Sequence, residues 1–187
     1  MGWRWAAVAA AAICTAAAQV PTGAPAPPSV REVRAGLVGA WKGELAYRDY
    51  QTDRWVGLPV TVTVELVPDG LTLIRRAVFD DGPRVGAVHI TMVAVLDPET
   101  GAESTASFRA GRPVEPDVAT PRLTRAADAT HWTMIEERVG RDDDRPARIR
   151  ETTTRDGVRL VTLKEVDFTD DAGEAWLQRN RTTLTRK

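Results

Sequence analysis

Two doublets of like charge interrupt β-rich stretches of this 187-residue chain: Arg75-Arg76 in LTLIRRAVF and Glu136-Glu137 in TMIEERV. Successive side chains on a strand leave by opposite faces, so each doublet sends one charge each way. Leu71, Leu73, Ala77 and Phe79 share a phase with Arg75, whereas Ile74 and Val78 share one with Arg76. One arginine therefore joins an apolar face. An inward guanidinium can hold a carboxylate through paired, charge-assisted hydrogen bonds. The plainer alternative is an arginine that lays its stem on an apolar rim and lifts its head into water. Arg148, Arg150, Arg179 and Arg181 lie on later β-rich runs and could contribute. Glu136 and Glu137 point apart and cannot form a paired acid and base, but an inward, unpartnered carboxylate would be noteworthy.

Other chemistries lack their residues. The two histidines, His89 and His131, fall on different strands, and two isolated histidines make a zinc site improbable. The aspartate runs 142–144 and 170–171 sit in turns without the alternating spacing of a calcium loop. There is no Gly-x-Ser-x-Gly elbow, P-loop or glycine-rich dinucleotide turn. No catalytic residue, metal or cofactor is expected, and an enzyme reading has no motif behind it. A net charge of −1 with interspersed signs gives no pull towards nucleic acid. Asn180-Arg181-Thr182 is formally a glycosylation sequon and is given no role.

The elements that must position these groups are strands. In VGLPVTVTVEL, Val56, Leu58, Val60, Val62, Val64 and Leu66 alternate with Gly57, Pro59, Thr61, Thr63 and Glu65. Period two means one buried face and one wet face. Pro59 cannot donate to a ladder, which calls for an edge, a bulge or weak pairing there. Further strands are expected over 41–50, 71–79, 87–96, 102–109, 121–125, 131–138, 147–154, 158–168 and 175–186. Between them lie turn sequences such as PDG, DDGP, DPETG, GRPVEP and RDG. Short turns favour antiparallel neighbours. A long meander with one buried face removes its edges by closing. The fold class is all-β: a single antiparallel up-and-down β-barrel of about 8–10 strands, with a β-sandwich as the alternative. One short helix precedes it. Ser29 and Glu32 form a capping box, and Val30, Val33 and Leu37 recur at helical spacing up to about Gly36.

The N-terminus reads as an export signal. Arg4 precedes an Ala-rich run, and Ala16-Ala17-Ala18 is a small-x-small cleavage pattern. The run is too short to span the roughly 30 Å core of a bilayer, and no later segment is long and apolar enough to do so. The expected organisation is a signal peptide over 1–18, a Pro/Ala-rich linker over 19–28 and a barrel domain over 29–187, exported to a periplasm or beyond. Cys14, the only cysteine, lies in the leader, so the mature chain would have no disulfide. Lipidation at Cys14 is the alternative, although Ile13 stands where such motifs usually have a small residue.

The first strand opens GAWKGELAY, with Trp41, Gly43, Leu45 and Tyr47 in the apolar phase. A short helix, then Gly39-Ala40-Trp41-x-Gly43 at the head of a meander, resembles the calycin superfamily of lipocalins, fatty-acid-binding proteins and nitrobindin-like barrels. That resemblance implies that Trp41 plugs one barrel end and determines the fold. It implies a basic residue of the last strand packed over that ring, Arg181 or Arg186, with Arg186 favoured by its phase. It also implies an internal arginine of the fatty-acid-binding kind. The last strand has no histidine, so the haem ligand of nitrobindin-like barrels is missing.

The leading expectation is a secreted barrel that binds a small apolar or amphipathic molecule in its lumen. Leu45, Tyr47, Leu58, Val60, Val62 and Val64 would line it. Arg75, Arg76 or Arg181 would supply the convergent polar group, met by an anionic ligand or an acid such as Glu137. The alternative is a structural or interaction module with a filled barrel.

Overall fold

The structure is a computed structural model and describes residues 26–49 and 51–187. The expected leader, Cys14 and the linker as far as residue 25 lie outside the described residues. The helix α1 spans Val30–Ala35, and its capping box forms: the Ser29 hydroxyl accepts from the Glu32 N–H while the Glu32 carboxylate accepts from the Ser29 N–H. Eleven strands follow: β1 Gly39–Arg48, β2 Trp55–Leu66, β3 Thr72–Asp80, β4 Ala87–Leu96, β5 Glu103–Arg109, β6 Glu115–Ala119, β7 Arg122–Asp128, β8 His131–Asp142, β9 Arg145–Asp156, β10 Arg159–Phe168 and β11 Leu177–Arg186. A single helical turn, α2 Gly82–Val85, joins β3 to β4.

All strands belong to one antiparallel sheet in the order β6-β5-β4-β3-β2-β1-β11-β10-β9-β8-β7. The barrel is therefore up-and-down, and a two-sheet sandwich is excluded. β1 lies between β2 and the final strand β11, with Trp41 opposite Val62 on one side and Arg186 on the other. Gly43 stands opposite Leu184, and a Cβ there would overlap the Thr183 carbonyl. Only glycine lets the sheet coil this tightly at β1.

The sequence reading misses β6, because GRPVEP has the composition of a turn. Its last two residues, Glu115 and Pro116, begin a strand of five in which Pro116 stands opposite Ala106 of β5, on an edge strand where a proline is tolerated. β6 and β7 are nearly one extended run, broken only at Thr120-Pro121, where Pro121 is buried. The first part pairs with β5 and the second with β8, so this run joins the two edges of the sheet.

Three clusters fill the interior. Trp41 is 1% exposed and packs with Val60, Val62, Val64, Leu73, Ala77, Ala94 and Leu184. Val33 of α1 meets Trp132 and Met134, which caps one end of the barrel. Ala147, Ile149 and Val166 form the third cluster, against Phe168 and Leu177. No helix among the described residues is long and apolar enough to cross a membrane.

Candidate functional site

The inward faces of the strands divide the lumen into two unlike walls. β1–β4 contribute Leu45, Val62, Val64, Phe79 and Met92, the alternation read in the sequence. β9–β11 contribute Thr153, Thr162, Thr182, Asn180, Glu151 and Lys164. An inner cavity of about 350 Å³ lies between these walls. A second space of about 450 Å³ opens beside it, between β5–β6 and β8–β9. Met92, Glu151 and Lys164 line both, so the two are joined.

The residues expected to line the lumen are placed as follows. Leu45, Val62 and Val64 line the inner cavity, while Val60 is packed into the Trp41 cluster. Tyr47 and Leu58 keep the same inward phase and are half-buried. Arg75 lines the inner cavity between Val64 and Met92 on the flanking strands. Arg76 leaves by the outer face and pairs with Glu65. Arg181 is exposed on β11, because Thr182 and Leu184 take the inward phase. The division at the arginine doublet follows from Leu73 and Ala77, which carry Arg75 inward with them.

Arg75 has no hydrogen bond or ion pair among the described residues, and its nearest counter-charge effect comes from Glu151. Burial pulls the Arg75 pKa below its ordinary value, and Glu151 only partly opposes this. Glu151 is itself engaged, accepting from Arg138 at 2.8 Å. Glu137, the acid expected to meet the arginine, points outward and pairs with Arg150 at 2.6 Å. The inward member of that doublet is Glu136, directly opposite Glu151 in the β8–β9 register. Burial, with Glu103 and Glu151 nearby, pushes the Glu136 pKa up to about 7, against the pull of Arg138 and Arg34.

Further polar groups reach the interior. Arg34 of α1, only 2% exposed, donates to the carbonyls of Leu71 at 2.9 Å and Ala94 at 3.1 Å, and forms an ion pair with Glu103. Burial raises the Glu103 pKa while Arg34 restrains the rise. Asp142 accepts from Lys164 at 2.8 Å and lies 3.0 Å from Arg179. The sequence carried a signal for Arg34. It follows Val30 by four residues and so lies on the helix's apolar stripe. Arg179 is one of the later arginines named from the sequence, but a register shift between Lys164 and Glu165 passes over it in the ladder, so alternation alone does not give its direction. Arg148 pairs outside with Asp167 and Glu174, and Arg150 stacks on Trp176 at 3.8 Å.

The arrangement is a set of fixed charges around a cavity with one apolar wall. Among the described residues no group of His, Cys, Asp and Glu has the geometry to hold a metal ion. No protein-family model matches the chain, and no curated protein matches it. Among solved structures it is similar to the crystal structure of Rv2717c from M. tuberculosis. The two share 16% identity, with 83% of this chain and 97% of that one covered at a TM-score of 0.58. A protein of unknown function from the DUF3598 family (Npun_R4044) of Nostoc punctiforme is 10% identical, over 86% of this chain and 100% of that one. Its TM-score of 0.22 lends no argument. The likeness to Rv2717c is one of fold and fits a β-barrel.

Proposed function

We propose that this chain is an exported, calycin-like barrel that binds a small amphipathic molecule with an anionic head group in its lumen. One observation carries the reading: Arg75 brings a guanidinium into an apolar wall and finds no hydrogen-bond or ion-pair partner among the described residues. Arg75 is half-buried and its side chain faces the cavity, where a charge with reduced access to water gains from being met by an opposite one. A carboxylate or sulfonate placed there would be met by the fork of Arg75, while its apolar body lay along Leu45, Val62, Val64 and Phe79. A cavity of this size takes a small ligand. The Gly39-x-Trp41-x-Gly43 opening after a helix, with Arg186 over the Trp41 ring, supports the calycin comparison. The export reading rests on the first 18 residues and is tested by N-terminal sequencing of secreted protein, which should begin at or near Gln19.

The binding test uses 11-(dansylamino)undecanoic acid as a fluorescent probe. Wild type should bind it at micromolar concentration with a blue-shifted emission. Arg75→Met should weaken binding at least tenfold and leave the melting temperature equal or higher, because no hydrogen bond or ion pair of Arg75 among the described residues is lost. Absence of probe binding at tens of micromolar would favour the filled-barrel module instead. Lower stability in Arg75→Met would mean that the guanidinium is a structural part of the wall.

A further inference from the structure

Around most of the barrel, neighbouring strands are held by continuous backbone ladders. One place differs. β7 pairs with β8 only as far as Ile135, and beyond that point β8 is laddered on one side alone, to β9. β6 faces this free stretch but is laddered only to β5. The two are tied by side chains: Arg138 of β8 reaches Asp117 of β6 at 2.5 Å, and its other arm holds Glu151 at 2.8 Å. Directly beneath lies the second cavity, lined from one side by Glu115, Pro116 and Asp117 and from the other by Glu136, Arg138 and Gly140. That cavity leads to the inner one. The outer lips carry exposed apolar side chains, Val118 at 61% and Val139 at 82%.

We propose that the wedge between β6 and the second half of β8 is the entrance to the lumen, latched by the Asp117–Arg138 ion pair. The proposal rests on the reading of the lumen as a binding site and adds the route by which an amphipathic molecule arrives. A half-exposed ion pair is a weak closure compared with a ladder of backbone hydrogen bonds. It is also screened by salt. Arg138 keeps Glu151 as a partner when Asp117 lets go, so opening leaves no guanidinium unmet. The kink at Thr120-Pro121 is the natural pivot for β6, since a proline there interrupts the ladder between its two halves. Val118 and Val139 give an apolar body a surface to meet before it enters.

The test reads access without any ligand. In a Cys14→Ser background, Thr182→Cys places one thiol on the far wall of the inner cavity. Its reaction rate with N-ethylmaleimide is measured under native conditions. Asp117→Asn should raise the rate about three- to tenfold. Asp117→Glu should restore the original rate, and 0.5 M NaCl should speed the parent but not Asp117→Asn. An unchanged rate in Asp117→Asn would overturn the proposal and place the entrance at a barrel end. A faster rate accompanied by a lowered urea midpoint, and not restored by Asp117→Glu, would also overturn it, since global opening would then explain the access. Failure of probe binding would sink the lumen-binding reading and leave this measurement of access intact.

Discussion

The Arg186 guanidinium of the last strand stands 5.5 Å from the centre of the Trp41 ring at the head of the first, and also donates to the carbonyls of Gly36 and Val38. Arg155 approaches the same ring at 5.5 Å and donates to Gly36 at 2.6 Å. The indole N–H is satisfied by the Leu37 carbonyl at 2.9 Å. One aromatic side chain thus ties the helix end, the first strand and the last strand together. Gly39 makes the close approach possible. Its φ is +131°, and a Cβ there would lie 3.0 Å from the Arg186 guanidinium.

Trp41→Ala should therefore lower stability by about 3–5 kcal/mol, the range for large aromatic deletions in a packed core. Trp55→Ala should change it by less than about 1 kcal/mol, because Trp55 is 49% exposed. Urea denaturation of the two variants decides the matter. Equal midpoints for wild type and Trp41→Ala would contradict the role given to that residue.

Gly43→Ala is expected to destabilise by about 1–3 kcal/mol or more, although it adds only one methyl group at an exposed position. The added carbon would meet the Thr183 backbone, which cannot swing aside as a flexible side chain can. Gly111→Ala serves as the comparison. A Cβ at Gly111 meets open space, so only the strain of its φ of +74° is felt.

Much of this fold is legible because its apolar half alternates cleanly. Val56 to Leu66 announces β2 and its inward face, and Leu73 and Ala77 fix the direction of Arg75. The polar half is harder to read, since its inward phase carries Glu136, Arg138, Glu151 and Lys164 where a core would carry valine and leucine. Period-two reading finds those strands but cannot say which face is inside. β6 is lost for another reason. It has five residues, and Pro116 with the prolines on either side of it gives the stretch the composition of a loop. The inner pair of Arg34 and Glu103 joins a helix to a strand far along the chain, a contact that local spacing cannot reveal.

That pair yields a third prediction. Arg34→Met removes the only cation ion-paired with Glu103 among the described residues and strips donors from two carbonyls. Breaking one side of a buried ion pair costs about 3–5 kcal/mol. Arg34→Met with Glu103→Leu should recover a large part of that loss, because no buried charge is then left unmet. A double variant no more stable than Arg34→Met would show that the carbonyl contacts, rather than the charge pair, dominate.

The fourth prediction concerns pH. Glu136 has an ordinary value of 4.5 in the unfolded chain and about 7 in the folded protein. The native state holds this proton more tightly, so the contribution of Glu136 to stability is greatest below pH 4.5. It is lost as pH rises towards and through about 7, then stays flat. The cause is burial, reinforced by Glu103 and by Glu151 directly across the strand pair. Arg138 and Arg34 soften the effect without removing it. Glu136→Gln keeps the shape and deletes the charge. Relative to wild type it should be neutral near pH 4.5 and more stable at pH 8, by up to about 3 kcal/mol given one pKa unit per roughly 1.4 kcal/mol. Urea midpoints of both proteins across that range test it, since the carboxylates that do not face Glu136 titrate alike in the two chains, and Glu103 and Glu151 are relieved of repulsion in the same direction. A stability difference that does not grow with pH would mean that Glu136 is already ionised and screened in the native protein.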